Sequence, residues 1–451
     1  MDRRIYGVET EYGITCAGGD LDAEAAAREL FAPLIQRGRT TNMFLPNGGR
    51  LYLDVGAHPE YATAECDNLW DLLAQDRAGS QLLSDLATEA NGRLEAGRIH
   101  LFRNNFDFDH NSFGCHENYL LRRRRDFREV ADALVAYFVT RQVVAGAGDL
   151  KRNPEGQLQY VFSARADQMF DSVSAATTRA RPIINTRDEP LADATEYRRM
   201  HVIVGDSNMA EPTTALKVGA TELLLDAVDR GIHLADLALA DPIEAIQAIN
   251  FDLSGQLLLP MQDGRQLRAV DIQQEILDRI LGLEPELSEM QRYLVGLWQR
   301  AIEAVRSGNW APIETEIDFA IKKRLVDQYR ERSGAELADP RVARLLLSYH
   351  DITEAGLRGK LEAGQVMLRL TSPEQVTVAT TTPPPTTRAH LRGRVIAAAE
   401  RNRRDLACDW IHLRLEDGGL NLALQDPFAT ESEAVDQLIA AIEQSSPQLP
   451  A

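Results

Sequence analysis

The strongest constraint on the fold is the segment of residues 47–66, NGGRLYLDVGAHPEYATAEC, in which polar and apolar side chains alternate. Successive side chains of a strand point to opposite faces, so Arg50, Tyr52 and Asp54 share one face. The apolar residues between them face the other way. The segment therefore predicts a strand that carries a polar face on an apolar backing.

A turn follows this strand, because glycine, histidine and proline come in close succession after Asp54. Glu60 and Thr63 then lie within reach of the strand's end. An edge strand with a solvated polar face is the alternative interpretation of residues 50–54. It is the commoner structure for such a segment taken alone.

A second alternating segment, RIYGVETEYGITC at residues 4–16, places Glu9 and Glu11 on one side of a strand. Side chains two residues apart on a strand project about 7 Å from each other. Two carboxylates this close repel each other unless a positive charge lies between them. Magnesium is commonly held by one or two carboxylates and by substrate phosphates, so the pair favours a metal site over a half-exposed strand.

Seven segments of the chain resemble, in fixed order, the Pup ligases of actinobacteria, also called proteasome accessory factor A. These enzymes are carboxylate-amine ligases related to glutamine synthetase and glutamate–cysteine ligase. The resemblance covers nearly the whole chain and implies an α+β fold of the glutamine synthetase type. In that fold a twisted, mainly antiparallel sheet forms a cradle packed on helices, and a small C-terminal α/β domain follows. The matching segments are GVETEYG, NGGRLYLDVGAHPEYATAEC, NSFGCHENYL, RPIINTRDEP, RRMHVIVGDSNMAE, ETEIDFAIKKRL and CDWIHLRL.

The resemblance also implies roles for individual residues, with magnesium as cofactor and ATP as co-substrate. The implied magnesium ligands are Glu9, Tyr52 and Glu60. The implied contacts with ATP are Arg50, Thr63 and Trp410. Asp54 is the implied catalytic base, which the reaction needs because a free lysine amine is almost fully protonated at neutral pH.

A third strand is predicted in RRMHVIVGD, where Arg199 and His201 share a face. In the setting of this family we expect Arg199 near the phosphates of ATP, and His201 with Glu11 at a further metal position. His116 and Asn118 also share a face. On the residues alone they form a structural pair as often as a ligand pair, and only the resemblance favours the active site.

The implied reaction has two steps. ATP phosphorylates the side-chain carboxylate of the C-terminal glutamate of Pup, and a lysine of a target protein then displaces the phosphate to form an isopeptide bond. Such conjugates are marked for the bacterial proteasome.

Three alternatives to a Pup ligase remain. A depupylase or Pup deamidase of the same fold is the nearest, but it typically carries a long insertion where only residues 15–46 intervene here. A small-molecule glutamate–amine ligase would need no groove for a long partner. A catalytically dead binding module is disfavoured because each matched position keeps a competent residue type.

Length and composition set the outer bounds. A chain of 451 residues predicts two domains, 1–380 and 388–451, joined by the connector TTPPPTT at residues 381–387. A net charge of −19 argues against nucleic acid as a partner. The sequence shows no membrane-spanning run and no signal-peptide core, and its four scattered cysteines are typical of reduced thiols, so a cytoplasmic location is expected.

Other side chains received less specific predictions. A helix is expected over about residues 67–95, with the side chain of Trp70 in the hydrophobic core of the protein. The basic runs 122–125 and 322–324 are candidates for holding acidic Pup, although a solvated turn is the commoner explanation of the first. The loop RPIINTRDEP is expected to present Arg187 and Asp188 to a ligand.

Overall fold

A computed structural model of the chain describes residues 1, 3–38, 40–54, 56–107, 111–176, 181–416 and 420–444. The strands of this part are β1 Tyr6–Glu11, β2 Gly13–Ala17, β3 Asn42–Phe44, β4 Arg50–Leu53, β5 Pro59–Ala62, β6 Arg98–Phe102, β7 Cys115–Arg122, β8 Asp149–Arg152, β9 Leu158–Val161, β10 Asp171–Ser174, β11 Pro182–Asn185, β12 Tyr197–Val202, β13 Leu258–Pro260, β14 Gln266–Arg268, β15 Leu406–Cys408, β16 His412–Leu415 and β17 Asn421–Ala423. The helices are α1 Ala23–Gly38, α2 Leu69–Arg93, α3 Phe127–Thr140, α4 Gln142–Ala145, α5 Glu211–Asp229, α6 Pro242–Phe251, α7 Ala269–Leu281, α8 Glu289–Ser307, α9 Asp318–Ser333, α10 Pro340–His350, α11 Arg358–Ala363, α12 Pro373–Ala379, α13 Ala389–Arg401 and α14 Glu433–Gln444.

Eight strands form the main sheet in the order β10-β11-β12-β7-β1-β5-β4-β3. Its pairs are antiparallel except for β10 with β11. The prediction of a mainly antiparallel sheet is thus confirmed. The two alternating segments of the sequence lie next to each other in it, because β1 is hydrogen-bonded to both β5 and β7.

The register of the central strands brings polar residues face to face. Glu11 on β1 is paired with Glu60 on β5, and Glu60 is paired in turn with Tyr52 on β4. On the other side of β1, Glu9 is paired with His116 on β7. The non-local pairing therefore gathers acidic and imidazole groups at the centre of one sheet face.

The opposite face of the sheet packs on helices. Buried and half-buried residues alternate along β1, so that Tyr6 and Val8 point into the core. That core is completed by residues of α3, α5, α7 and α8, including the fully buried Trp298. The helices thus cover the apolar backing and leave the polar face of the sheet for a site.

Helix α2 begins directly after a capping residue, Asn68. The Asn68 side chain accepts a hydrogen bond from the backbone N–H of Asp71, which satisfies one of the free donors of the first turn. The prediction for Trp70 is wrong, because this side chain is 40% exposed. It lies in the first turn of the helix, on the side that faces away from the core.

A buried ion pair lies on the core side of β7. Glu117, which alternates with the outward-facing His116 and Asn118, is fully buried and binds Arg141 through two hydrogen bonds of 2.6 and 2.8 Å. A buried charge needs such a partner because its transfer out of water is costly. The pair therefore holds β7 in the position that the site requires.

The C-terminal unit, defined as residues 388–416 and 420–444, packs α13 and α14 on the small sheet of β15, β16 and β17. Its hydrophobic cluster includes Leu391, Leu413 and Leu438. The predicted Thr/Pro connector is irregular before α13. Trp410 lies in a bend before β16. None of the helices in the described part combines the length and apolar character that a membrane span needs.

Replacing Arg141 with Met is expected to lower the free energy of unfolding by about 3–5 kcal/mol, because Glu117 would remain as a buried charge without this partner. Arg128→Met is the matched control, since Arg128 is an exposed residue of α3 that pairs with Asp132 one turn away. Its loss should be below about 1 kcal/mol. Urea unfolding followed by tryptophan fluorescence measures both, and equal losses would contradict the role of the pair.

Candidate active site

Two clusters of possible metal ligands lie on the polar face of the sheet. The first, which we call the Glu9 cluster, consists of Glu9, His116 and His201. The Oε2 atom of Glu9 lies 3.7 Å from Nδ1 of His116 and 3.8 Å from Nε2 of His201. The other oxygen accepts a hydrogen bond from the Asn118 amide at 3.1 Å, and Arg199 lies 3.9 Å from it. The carboxylate is thus oriented by β7 and β12 together.

The second cluster, the Glu60 cluster, consists of Glu11, Asp54 and Glu60, with one oxygen of each within 4.8 Å of the others. Glu60 is buried and Asp54 is exposed at the end of β4. Glu11 accepts a hydrogen bond from the backbone N–H of Gly114 at 2.9 Å and lies 3.6 Å from Nδ1 of His58. Three carboxyl groups this close repel one another when they are ionised.

Burial and neighbouring charges separate the protonation states of these acids. Burial, together with the charges of Glu9 and Glu11, raises the pKa of Glu60 to about 9. Burial acts in the same direction on Glu9, but His116, His201 and Arg199 outweigh it and lower the pKa of Glu9 to about 2. At neutral pH the structure therefore favours an ionised Glu9 and a protonated Glu60, unless a cation takes the place of that proton.

Tyr52 and Arg50 lie beside these clusters on β4. Burial and the charges of Glu9 and Glu60 raise the pKa of Tyr52 well above its ordinary value, so its hydroxyl keeps its proton. The Arg50 guanidinium lies 4.1 Å from the centre of the Tyr52 ring and donates to the Asn42 side chain at 2.8 Å. Tyr52 can thus offer a neutral oxygen, and Arg50 carries its charge along the same face.

A cleft extends from Glu9 to the C-terminal unit. Glu9 and Arg199 line one part of it and Trp410 lines another, with Thr63 on its wall. Gly7 belongs to the lining, and a side chain there would approach the Thr63 hydroxyl to 3.1 Å. The combination of an aromatic wall with a charged end suits a nucleotide.

The donor set of the two clusters fits divalent cations. Carboxylate oxygens are the ligands that magnesium prefers, and the half-buried His201 is held neutral because burial lowers its pKa to about 3. Within the described residues, Nε2 of His201 and Nδ1 of His58 are buried without a hydrogen-bond partner. Buried polar atoms normally have partners, so these nitrogens and the crowded carboxylates are suited to hold a cation.

Comparison with known proteins agrees with this geometry. The family model described as Pup-ligase protein matches residues 4–414. The chain belongs to the Pup ligase family. The Pup--protein ligase of Xylanimonas cellulosilytica is 48% identical over 458 residues, which cover 98% of this chain and 100% of the relative.

Two solved structures are similar over almost the whole chain. A complex between the prokaryotic ubiquitin-like protein Pup and its ligase PafA matches with a TM-score of 0.93 and 41% identity, over 98% of this chain and 93% of that one. The Pup ligase PafA in complex with ADP matches with a TM-score of 0.85 and 41% identity, over 97% of each chain. The predicted fold class is confirmed by both.

The Pup ligase fold gathers the residues predicted from the sequence on the polar face and around the cleft. Glu9, Thr63, Arg199 and Trp410 line the cleft, with Arg50 and Tyr52 beside it. The predicted ligands are divided between the two clusters, and Glu9 also lies close enough to Tyr52 and Glu60 for its charge to raise the pKa of each. Glu9 lies with His201, whereas Glu11 and Asp54 lie with Glu60. The individual roles as ligand, ATP contact and base stay predictions.

Three residues next to the predicted ligands, His116, Asn118 and His58, have no definite role predicted from the residues alone. His116 and Asn118 both contact Glu9, and their shared face on β7 was the available signal. His58 was predicted only as part of a turn, yet its ring packs against Phe113 with the centroids 4.5 Å apart and its Nδ1 faces Glu11. That contact depends on a loop distant in sequence, so no local pattern could reveal it.

The prediction of Lys322 as a surface cation is wrong. Its side chain is buried, donates to the carbonyl oxygen of Gly148 and contacts His350. Its neighbours Lys323 and Arg324 are half-buried and pair with acids close in sequence. The run 322–324 therefore offers little free charge to an acidic partner.

Two of the four arginines at residues 122–125 form ion pairs with acidic residues. Arg123 binds Asp188 through two hydrogen bonds of 2.8 and 2.9 Å, and Arg124 binds Asp126. Asp188 was expected to be presented to a ligand, but it ties the loop of residues 181–190 to this run. Arg187, which was also expected to be presented to a ligand, pairs with Glu189.

Metal-free protein in EDTA is expected to lose stability as the pH rises from about 7 to about 8.5. Folded Glu60 keeps its proton over this interval, whereas the unfolded chain has released it above the ordinary pKa near 4.3, so the free energy of unfolding falls with pH. Glu60→Gln should make the fall shallower. Thermal midpoints across this pH range measure it.

Glu222→Gln is the matched control, because burial also raises the pKa of Glu222 to about 8 but this residue lies outside both clusters. It should remove a similar part of the slope. Adding a divalent cation should flatten the remaining slope of Glu222→Gln and leave that of Glu60→Gln unchanged. A slope in Glu60→Gln identical to that of the unmodified protein would contradict the assignment.

Proposed function

We propose that this chain is an ATP-dependent Pup ligase that joins the side-chain carboxylate of the C-terminal glutamate of Pup to lysine side chains of target proteins. The product would mark those proteins for the bacterial proteasome. The observation that carries the proposal is the cleft that runs from Trp410 to the Glu9 cluster on the central strands. Similarity over the whole chain to the Pup ligases bound to Pup and to ADP supports it.

ATP is oriented along the cleft by groups at its two ends. The base packs near Trp410, while Arg199 and Arg50 direct positive charge at the phosphates. The carboxylate of the Pup glutamate then attacks the γ-phosphorus, which breaks its bond to ADP and forms an acyl phosphate. The phosphorylation is needed because a free carboxylate is a poor acyl donor, and close positioning of the two reactants lowers its barrier.

Magnesium, when bound, neutralises the phosphate charge and aligns the transferred group. Glu9, Tyr52 and Glu60 would hold it, with Glu11 and His201 at a further position. The charge of Glu9 acts on both Tyr52 and Glu60, which supports the first set, and the partnerless Nε2 atom of His201 supports a ligand role for that residue.

In the second step the lysine amine attacks the acyl carbon, the isopeptide bond forms and inorganic phosphate leaves. Asp54 accepts a proton from the attacking amine. Its exposure at the rim of the Glu60 cluster supports this role, since a lysine on a folded target can reach it.

We infer that the chain has the two domains expected from its sequence, 1–380 and 388–451. The separate hydrophobic cluster of the C-terminal unit supports this division. Residues 445–451 lie outside the described part. The use of ATP and the four free cysteines support a cytoplasmic location.

Incubation with ATP, Pup ending in glutamate and a lysine-bearing protein tests the proposed function. Mass spectrometry should find Pup joined to lysine and ADP formed in proportion. Release of Pup from a preformed conjugate, without synthesis of new conjugate, would instead indicate a depupylase.

Replacing Glu9 with Gln should abolish most of the thermal stabilisation that ATP with magnesium confers, while the melting temperature in EDTA changes little. The reason is that the amide cannot supply the negative charge that binds the metal. Glu24→Gln, at an exposed position of α1, is the control. Equal stabilisation of Glu9→Gln and the unmodified protein would show that Glu9 is not a ligand.

Replacing Asp54 with Asn should abolish isopeptide formation at pH 7, because Asn keeps the shape of Asp but cannot accept the proton. Nucleotide affinity, measured by calorimetry, should persist. Partial recovery of conjugate formation near pH 9.5, where more of the lysine is neutral, would support the role of base. Normal ligation at pH 7, or complete loss of ATP binding, would contradict it.

A further inference from the structure

A buried carboxylate at the edge of the cleft joins the main sheet to the C-terminal unit. Glu65 follows β5 and lines the cleft two residues after Thr63. Its Oε1 accepts hydrogen bonds from Nε of Arg388 at 2.8 Å and from Arg392 at 3.0 Å, and its Oε2 binds Arg392 as well. Both arginines belong to the first part of the C-terminal unit, so one carboxylate ties it to the sheet.

Arg392 also contacts the aromatic wall of the cleft. Its guanidinium lies 5.0 Å from the ring centre of Trp410 and 5.6 Å from that of Phe44. It donates to the carbonyl oxygen of Trp410 at 3.2 Å and to that of Gly48 at 2.8 Å. Phe44 and Trp410 meet edge to face with their centres 5.0 Å apart. Arg392 therefore contacts Trp410, strand β3 and the turn between β3 and β4 at once.

This arrangement is more specific than the packing of two units requires. Arg392 is fully buried, and an apolar pair of the same size would cost less to remove from water. A planar guanidinium bound to a carboxylate through two bonds, however, fixes orientation as well as distance. The observed contacts place that fixed group against the one tryptophan that lines the cleft.

We infer that Glu65 and Arg392 are positioning residues that hold Trp410 over the nucleotide cleft. The inference rests on the proposed function in taking the occupant of the cleft to be ATP or ADP. Loss of the contact should weaken nucleotide binding selectively, because Trp410 would no longer be held in its place, whereas the carboxyl clusters would stay intact.

Arg392→Met tests the inference, with calorimetric titration of ADP and magnesium as the first measurement. The dissociation constant for ADP and the KM for ATP should each rise roughly tenfold, as expected if about 1.4 kcal/mol of aromatic contact is lost. The KM for Pup and kcat should stay within about twofold. Arg394→Met is the matched control, because Arg394 lies on the same helix but pairs with Asp436 at the surface. It should leave all four quantities unchanged.

Further variants separate positioning from folding. Arg392→Lys keeps the charge but not the planar group, so it should restore part of the nucleotide affinity, and Glu65→Gln should weaken ADP binding in the same direction as Arg392→Met. Combining Arg392→Met with Trp410→Ala should weaken ADP binding no further than Trp410→Ala alone. A lower melting temperature with unchanged ADP affinity, or fully additive losses, would overturn the inference. Failure of the unmodified protein to form conjugates would overturn the proposed function instead, and the ADP titration would still decide the role of Arg392.

Discussion

The site depends on two acids, Glu11 and Glu60, being paired on neighbouring antiparallel strands. Two ionised carboxyl groups directly opposite each other destabilise a sheet, and holding a proton on the buried Glu60 at neutral pH, above the ordinary pKa of a glutamate, costs free energy as well. The hydrogen bond from Gly114 to Glu11 and the protonated Tyr52 beside Glu60 offset part of it. The core beneath the sheet must supply the rest. A shift of β5 by one residue would relieve the repulsion, but it would also turn Tyr61, which is buried in a hydrophobic cluster, toward the polar face. Packing on one face thus enforces electrostatic strain on the other.

The alternation in residues 4–16 and 47–66 predicted which side chains of each strand share a face, because that property is local. It could not predict which strands are neighbours. β1 pairs with β5 and β7, which lie about 50 and 110 residues further along the chain, and β7 brings in β12. This order decides that Glu9 lies with His201, and that Glu11 lies with Asp54 and Glu60. The resemblance supplied the members of the site, whereas the sheet order determines their grouping.

The two wrong predictions have a common physical origin. Trp70 and Lys322 were interpreted from residue type, which predicts burial for tryptophan and exposure for lysine. Trp70 lies in the first turn of α2, where its side of the helix remains exposed. Lys322 can be buried because its ammonium group donates hydrogen bonds to the carbonyl oxygen of Gly148 and to the ring of His350. Both partners come from distant segments, so exposure was a reasonable inference from the sequence and an incorrect one.

The Glu60 cluster shows how one group of carboxyl side chains can provide different chemistry. Glu60 is buried and its pKa is raised to about 9, whereas Asp54 lies at the exposed end of β4 within 4.8 Å of it. Burial penalises the ionised form of Glu60. Acids in different environments can take different roles in one reaction. A group that must bind a cation benefits from burial, because the cation's attraction is weakly screened there. A group that must meet a lysine of a folded protein has to remain accessible. Depth in the fold thus gives Asp54 and Glu60 the different environments that their proposed roles require, although both are carboxyl side chains at one corner of the same sheet.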